Sequence, residues 1–357
     1  MPRIAVIPGD GIGKEVVPVG VDVLQTLADH RPELNLEFEW HDYGADRWLK
    51  DGVGFPDAER EAIAERCDAI YLGAVGDPRV PSNEHARELI LETRFNLDLY
   101  VNLRPCKLVD VRLCPLANKT LEDVDFVVFR ENTEGLYVGV GGIFKKGTPD
   151  EIAIQSSINS AKGVERIIRR AYEYADLHDR KKVCMSDKSN ALRYGHDLWQ
   201  RIWKKVAAEY PHIESRHLYI DVLAMQLVRA PEEFEVIVTS NLFGDIVTDL
   251  GAQLQGGLGV AASANVNPER GIGMFEPVHG SAPDIAGKGI ANPTATVLAG
   301  ALMLEHLGFP AEARLIEGVV ESALVEGACT ADLGGNLDTA GARAYLIDKV
   351  AERAAER

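Results

Sequence analysis

Residues 235–257 read EVIVTSNLFGDIVTDLGAQLQGG, and the fold is read outward from them. The run 234–239 is apolar and β-branched, the composition of a buried strand. Ser240 and Asn241 are cap-type residues. A helical pattern then continues to Gln255, where Gly256 and Gly257 stop it. Asp245 and Asp249 therefore fall at i and i+4 on one helix face, where like charges repel unless a cation sits between them. Hard oxygen donors so placed suit Mg²⁺ or Mn²⁺, which keep several waters and take one or two carboxylates plus a substrate. Two solvated acids on an outer face would share this spacing, so the rest of the chain has to decide.

Strand-then-helix units recur along the chain. Strands are predicted over 3–7, 36–40, 69–72, 126–130, 182–186 and 234–239, and helices over 13–29, 56–66, 161–177, 295–307 and 311–324. That rhythm implies an α/β fold with helices on the faces of a sheet. No internal repeat or long linker interrupts it.

A chain of 357 residues with 46% hydrophobic content has ample material for a core. The formal net charge of -17 and the lack of a basic stripe argue against a nucleic-acid partner. An acidic protein that handles acidic small molecules must gather its arginines and lysines locally. Cys67, Cys106, Cys114, Cys184 and Cys329 are odd in number and form no Cys-x-x-Cys pair, which fits reduced thiols in a cytoplasmic protein. No apolar run approaches the length of a membrane span and no secretory leader is visible, so no membrane association is expected.

Two glycine-rich loops stand out. Residues 8–14, PGDGIGK, follow the first strand and open a helix, but the third glycine of a Rossmann fingerprint would fall at Lys14. A tight strand-to-helix turn near a ligand is the better reading. Residues 276–293, EPVHGSAPDIAGKGIANP, hold too many Gly and Pro for helix or strand and form a long shaped loop, a kind that usually carries function. An exposed Asp beside backbone amides there could accept two ribose hydroxyls.

Taken with RENTEGLYVG at 130–139, SDKSNAL at 186–192 and YIDVLAMQLV at 219–228, these segments resemble the β-decarboxylating dehydrogenases of 2-hydroxy acids, the isocitrate/isopropylmalate dehydrogenase family. The resemblance spans nearly the whole chain, with the motifs in order. It implies an isopropylmalate dehydrogenase-like, non-Rossmann α/β fold of two domains with a shared central sheet. A large discontinuous cofactor-binding domain is expected over 1–100 plus 256–357, and a central domain for dimerisation, metal and substrate over 101–255.

It also implies hydride transfer from C2 of the hydroxy acid to NAD, loss of the β-carboxylate as CO₂, and protonation of the enolate. The implied metal ligands are Asp245 and Asp249 of one subunit with Asp221 of the other, holding Mg²⁺ or Mn²⁺. Arg94, Arg104 and Arg130 match the arginines that clamp substrate carboxylates. Lys188, donated across a homodimer, matches the base for the hydroxyl, and Tyr137 the proton donor. Asn190 matches a cofactor or substrate contact from the same donated segment. Ile12, Glu276, His279, Gly280, Ser281, Ala282, Asp284, Ile285, Ala291 and Asn292 match the adenosine-binding region. Asp284-Ile285 stands where NADP-preferring relatives tend to carry Lys-Tyr, so NAD is expected.

Substrate choice in the family rests on the helix before Arg94, here HARELILETR at 85–94. Isocitrate enzymes place Ser and Asn at Glu88 and Ile90, and homoisocitrate enzymes can place Arg at Leu91. Ile90 and Leu91, with Ala191 from the partner, could form an apolar pocket for an alkyl group, which points to 3-isopropylmalate and leucine biosynthesis. Arg87 departs from the Glu common in isopropylmalate enzymes: solvation, pairing with Glu88 or Glu92, or an extra substrate anion would each explain it. Tartrate/D-malate dehydrogenases share the Leu-Leu type of pair and are the main alternative, followed by homoisocitrate or isocitrate oxidation. A catalytically silent regulatory subunit is the reading of a different class, and the filled catalytic positions argue against it.

Overall fold

The computed structural model describes residues 1–356, with the backbone only at Ser82. Arg357, the last residue of the expected large domain, lies outside the described residues. The chain divides into two compact units. One comprises Met1–Leu99, Lys107–Leu121 and Ala252–Arg357, and the other Tyr100–Cys106 and Glu122–Gly251. Residues 107–121, expected in the central domain, cluster instead with the first unit.

In the first unit the strands run in the order Glu37–Trp40, Arg3–Gly9, Ala69–Ala74, Gly273–Pro277, Ala262–Val266. The first four are parallel to their neighbours, and Ala262–Val266 is antiparallel to Gly273–Pro277. Ala69–Ala74 is buried at every position, as a strand covered on both faces must be. Helix Thr294–His306 is buried almost all round, which is why its apolar residues show no stripe.

The turn at 8–13 shows why the glycines are there. Gly9 and Gly11 adopt φ of +70° and +51°. A Cβ on Gly11 would lie 2.0 Å from the Ser281 carbonyl oxygen, which accepts the Ile12 amide at 2.9 Å. The close approach that demands glycine is thus made by the protein's own second loop. Asp10, buried beneath, accepts from the amides of Ala45 (2.7 Å) and Gly76 (2.8 Å) and pairs with His85 Nε2 (2.8 Å), tying three connections together.

In the second unit the order is Val101–Lys107, Asp125–Glu131, Val236–Thr239, Lys182–Asp187, Glu214–Tyr219. The last four are mutually parallel, with Arg130 beside Thr239, Thr239 beside Ser186, and Ser186 beside Leu218. This register brings the carboxyl ends of four strands to one edge, where open α/β sheets bind their ligands. Helix Asn241–Gln255 leaves that edge, and Lys188 and Asp221 follow the ends of their strands by one and two residues. Helix Ala161–Leu177 begins at Ser160, whose hydroxyl accepts the Gly163 amide at 2.9 Å. An antiparallel hairpin, Gly141–Phe144 with Ile152–Gln155, projects with its residues exposed. Among the described residues no helix is long and apolar enough to cross a membrane, and all five cysteines are free thiols.

Candidate active site

At the carboxyl edge of the second unit the structure gathers Arg104, Arg130, Tyr137, Asp245 and Asp249. The Arg130 side chain is almost wholly buried. Its Nε donates to Asn241 Oδ1 at 2.9 Å, and its Nη1 pairs with Asp245 Oδ1. Tyr137 donates from its hydroxyl to the other oxygen of the same carboxylate, at 2.8 Å. Arg104, also buried, donates to Thr248 Oγ1 at 2.6 Å and stands 3.9 Å from Asp245 and 3.7 Å from Asp249. Partial burial pushes the Asp249 carboxyl above its ordinary range and the Asp245 charge adds to this, while Arg104 pulls it down. With 61% of that side chain open to solvent, water screens much of the effect.

Lys188 and Asp221 form a pair of their own, Nζ to Oδ1 at 2.5 Å, and the lysine holds the Asp221 carboxyl below its usual range. The turn that presents Lys188 is built with care. Its backbone amide donates to His196 Nδ1 at 2.9 Å, and burial lowers the pKa of that imidazole. The buried Asp187 carboxylate accepts from the Ser189 amide (3.0 Å), Gln200 (2.9 Å) and His217 (2.8 Å). Asn190 and Ala191 lie exposed on the same turn.

Among the described residues no three His, Cys, Asp or Glu side chains come together as a metal-binding group, so Asp221 does not join Asp245 and Asp249 within one chain. Two oxygen-donor carboxylates on one helix face still fit a hard divalent ion that completes its shell with water, substrate or a second chain.

In the first unit, Arg94 is buried at the end of the helical segment 84–96, its Nη2 on Glu276 Oε1 at 2.7 Å. Asn265 donates to the same oxygen at 2.8 Å. The Arg94 Nε has no hydrogen-bond partner among the described residues, a buried donor still available to an acid. Ile90 packs partly against a core cluster that includes Phe55, Leu72 and Leu89, and Leu91 is half-buried. Arg87 is exposed and sits 3.5 Å from Glu92. Glu88 accepts from the amides of Gly54 (2.6 Å) and Phe55 (3.1 Å) and faces inward.

The loop 277–293 folds over the glycine turn. Ile12, Val16, Ala74 and Ala291 form a small apolar core, onto which Ala282, Ile285 and Ala286 pack. Glu15 accepts the amides of Gly287 (2.5 Å) and Gly289 (3.0 Å), and Asn292 donates to Asp332 at 2.9 Å. Ser281 is buried, Gly280 is exposed and Ala282 takes a φ of +40°. An open cleft of about 490 Å³ lies along Gly11, Lys14, Gly76, Pro283 and Gly287, a size that suits a small-molecule ligand. The His279 Nε2 is a buried polar atom with no partner among the described residues, and burial lowers the pKa of that ring. Asp284 is exposed and makes no hydrogen bond or ion pair among the described residues. These free polar atoms and the apolar shelf fit a dinucleotide better than a rigid surface loop requires. Asp338, considered for the same region, caps helix Thr339–Ala355 by accepting the Gly341 amide at 2.7 Å.

The sequence matches the family described as "Isocitrate/isopropylmalate dehydrogenase" over residues 3–350. The chain belongs to that family. It is 49% identical to the 3-isopropylmalate dehydrogenase of Thermobifida fusca over 356 residues, covering 99% of this chain and 98% of that one. It is 52% identical to the 3-isopropylmalate dehydrogenase of Streptomyces griseus, with 90% and 92% covered. The solved structure of isocitrate dehydrogenase from Methylococcus capsulatus superposes with a TM-score of 0.88 at 38% identity, over 98% of this chain and all of that one. The expected fold class is thereby met, and the family is one of decarboxylating dehydrogenases.

Two residues of the site were not anticipated from the sequence. Thr248 lies between the two aspartates on their helix, and its hydroxyl accepts from Arg104 at 2.6 Å. Asn241, read only as a cap, bridges Arg130 and the Glu134 carbonyl (3.0 Å). The signal was its place at the strand-to-helix corner, where a side-chain amide can serve two elements at once.

Proposed function

We propose that this protein catalyses the NAD- and divalent-metal-dependent oxidative decarboxylation of a 3-substituted malate, 3-isopropylmalate first, in leucine biosynthesis. The observation that carries the reading is the Asp245 carboxylate held between Arg130 and Tyr137, with Arg104 and Asp249 beside it. The names of the relatives at about half identity favour 3-isopropylmalate over other hydroxy acids. The inward-facing Glu88 and the pairing of Arg87 with Glu92 also argue against a further carboxylate site on that helix.

In this reading Arg104 and Arg130, with Arg94, bind the substrate carboxylates, because guanidinium forks match them. Ile90 and Leu91, with Ala191, accept the alkyl group, and burying an isopropyl group contributes roughly 2 kcal/mol. Lys188 takes the proton of the C2 hydroxyl at Nζ. The C3–carboxylate bond then breaks, its electron pair forms the enolate, and CO₂ leaves. Tyr137 returns a proton to C3 from its hydroxyl. Asp245 and Asp249, completed by Asp221 of a second protomer, would hold Mg²⁺ or Mn²⁺, which supplies Lewis-acid stabilisation of the developing oxyanion. Asp284, Ile285, His279, Ala291 and Asn292 would hold NAD, which accepts the hydride when bound. Ile12, Glu276, Gly280, Ser281 and Ala282 complete that region.

A homodimer with shared sites is part of the proposal. Large apolar side chains stand exposed on the hairpin (Phe144, Ile154) and on helices Ile220–Arg229 and Asn241–Gln255 (Met225, Val228, Ile246), as subunit-facing surface does. The test is NADH formation with Mg²⁺ on 3-isopropylmalate, D-malate, tartrate, isocitrate and homoisocitrate in parallel. The highest kcat/KM on 3-isopropylmalate supports the reading, and preference for D-malate or tartrate replaces the substrate. A chain inert on all five is the outcome expected of a silent subunit.

A further inference from the structure

The helical segment that carries Leu91 and Arg94 is irregular. Glu84–Ala86 is α, Arg87–Glu92 is a π turn, and Thr93–Asn96 returns to α. A π turn gives up part of the i→i−4 ladder, is rare, and calls for a cause such as an inserted side chain. Here that side chain is Arg60, from helix Asp57–Arg66. It is fully buried. Its Nη2 donates to the Glu88 carbonyl at 3.0 Å and to the Phe55 carbonyl at 3.1 Å. Its Nε donates to Thr93 Oγ1 at 3.2 Å, its Nη1 pairs with Asp57, and the guanidinium lies 4.9 Å from the Phe55 ring centroid. The Glu88 carboxylate grips the same loop from the other side through the Gly54 and Phe55 amides. One buried fork thus ties the first turn of the π segment, at Glu88, and the residue just after it, Thr93, to Phe55 and Asp57.

The register of that turn decides which side chains leave the core. Leu89 is buried, Ile90 packs partly on the core, Arg87 is turned out to Glu92, and Leu91 stays half-buried. Removing the extra residue of a π turn rotates everything after it by about 100° relative to what precedes it. Leu91 and Arg94 would then change faces relative to Arg87.

We propose that Arg60 is a positioning residue for substrate selectivity: by holding the π turn Arg87–Glu92 in register it sets how Leu91 is presented to the C3 substituent of the substrate. The proposal rests on the functional reading above. Arg60 touches no reacting atom. An arginine serves because its planar fork reaches two carbonyls and a hydroxyl together, which the single ammonium of lysine does not.

The test compares Arg60→Met and Arg60→Lys with the wild type in two measurements. One is the ratio of kcat/KM for 3-isopropylmalate to that for D-malate, and the other is amide hydrogen exchange across residues 85–97. Both variants are expected to exchange faster in that segment and to lose at least about tenfold of the ratio, since alkyl discrimination of this kind spans roughly 10- to 200-fold. A lower melting temperature with an unchanged ratio would mean a merely structural role and overturn the proposal. Unchanged exchange would overturn it as well. If Arg60→Met does not fold, Arg60→Lys decides alone. A wild type that oxidises neither malate ends the functional reading and this proposal with it, whereas an active wild type with an unchanged ratio in the variants ends only this proposal.

Discussion

Tyr137 and Arg130 hold opposite oxygens of one carboxylate, that of Asp245: the phenol donates to Oδ2 at 2.8 Å and the guanidinium pairs with Oδ1. A phenol and a cation are thereby fixed to one proposed metal ligand. Asp245→Asn keeps an oxygen for Tyr137 but removes the charge. Mn²⁺ affinity and kcat/KM are both expected to fall by on the order of 100-fold or more. The melting temperature should fall as well, because the buried Arg130 guanidinium then faces a neutral amide in place of a carboxylate. Electron paramagnetic resonance titration of Mn²⁺ reads the first quantity directly, and wild-type affinity in the variant would remove Asp245 from the metal site.

Lys188→Ala should lower kcat by about 10²–10⁴ while leaving NAD binding intact, the size of effect ordinary for a proton-transfer group. A mixing experiment then asks which chain supplies the lysine. Inactive Lys188→Ala and inactive Asp245→Asn protomers, unfolded and refolded together, regain about a quarter of wild-type activity if a dimer shares its sites. The arithmetic is that half of the dimers are mixed, and each of those holds one intact site of two. No recovery would place lysine and aspartate on the same chain.

Much of this arrangement was legible in the sequence, and the exceptions have physical reasons. The buried strands Asp125–Glu131 and Val236–Thr239 announced themselves by unbroken apolar runs. Helix Ala161–Leu177 was read to the residue, since Ser160 caps it and its apolar stripe is regular. Strand Glu214–Tyr219, ESRHLY, escaped notice because it carries polar residues and is only partly buried, lying at the end of the strand order. The hairpin at 141–155 was missed for another reason: its strands, GGIF and IAIQ, are four residues long and show no alternation of apolar and polar residues. The π turn was invisible because its cause, Arg60, lies 28 residues from Glu88. Asp245 and Asp249 were singled out by their i, i+4 spacing and Tyr137 by the resemblance, and the structure brings Asp245 and Tyr137 together. That Asp245 joins Tyr137 to Arg130 depends on a strand pairing no local pattern encodes.

Cofactor choice offers a separate test. Asp284 is exposed and without a partner among the described residues, so its charge is free to accept ribose hydroxyls or to repel a 2′-phosphate. Asp284→Lys combined with Ile285→Tyr should shift the NAD-to-NADP ratio of kcat/KM by at least about tenfold toward NADP, one unit of roughly 1.4 kcal/mol. Fluorescence titration with NADH and NADPH checks the same shift without turnover. Equal affinities before and after would show that this loop does not read the ribose.

Asp187 connects the site to stability. Burial pushes its carboxyl upward, but the donors His217, Ser189 N–H and Gln200 together outweigh burial and hold it below its ordinary value of 3.8. A depressed folded-state pKa gives stability that is present above 3.8 and is lost as pH falls through the folded value. Asp187→Asn should therefore destabilise the protein at pH 7 by about 1–3 kcal/mol, the cost of weakening buried charged hydrogen bonds. The difference from wild type should shrink as the pH is taken from 5 toward 3. Urea unfolding at pH 7, 5 and 3 measures it. A gap that stays constant across that range would mean that packing, not the ionised carboxylate, fixes the turn that presents Lys188.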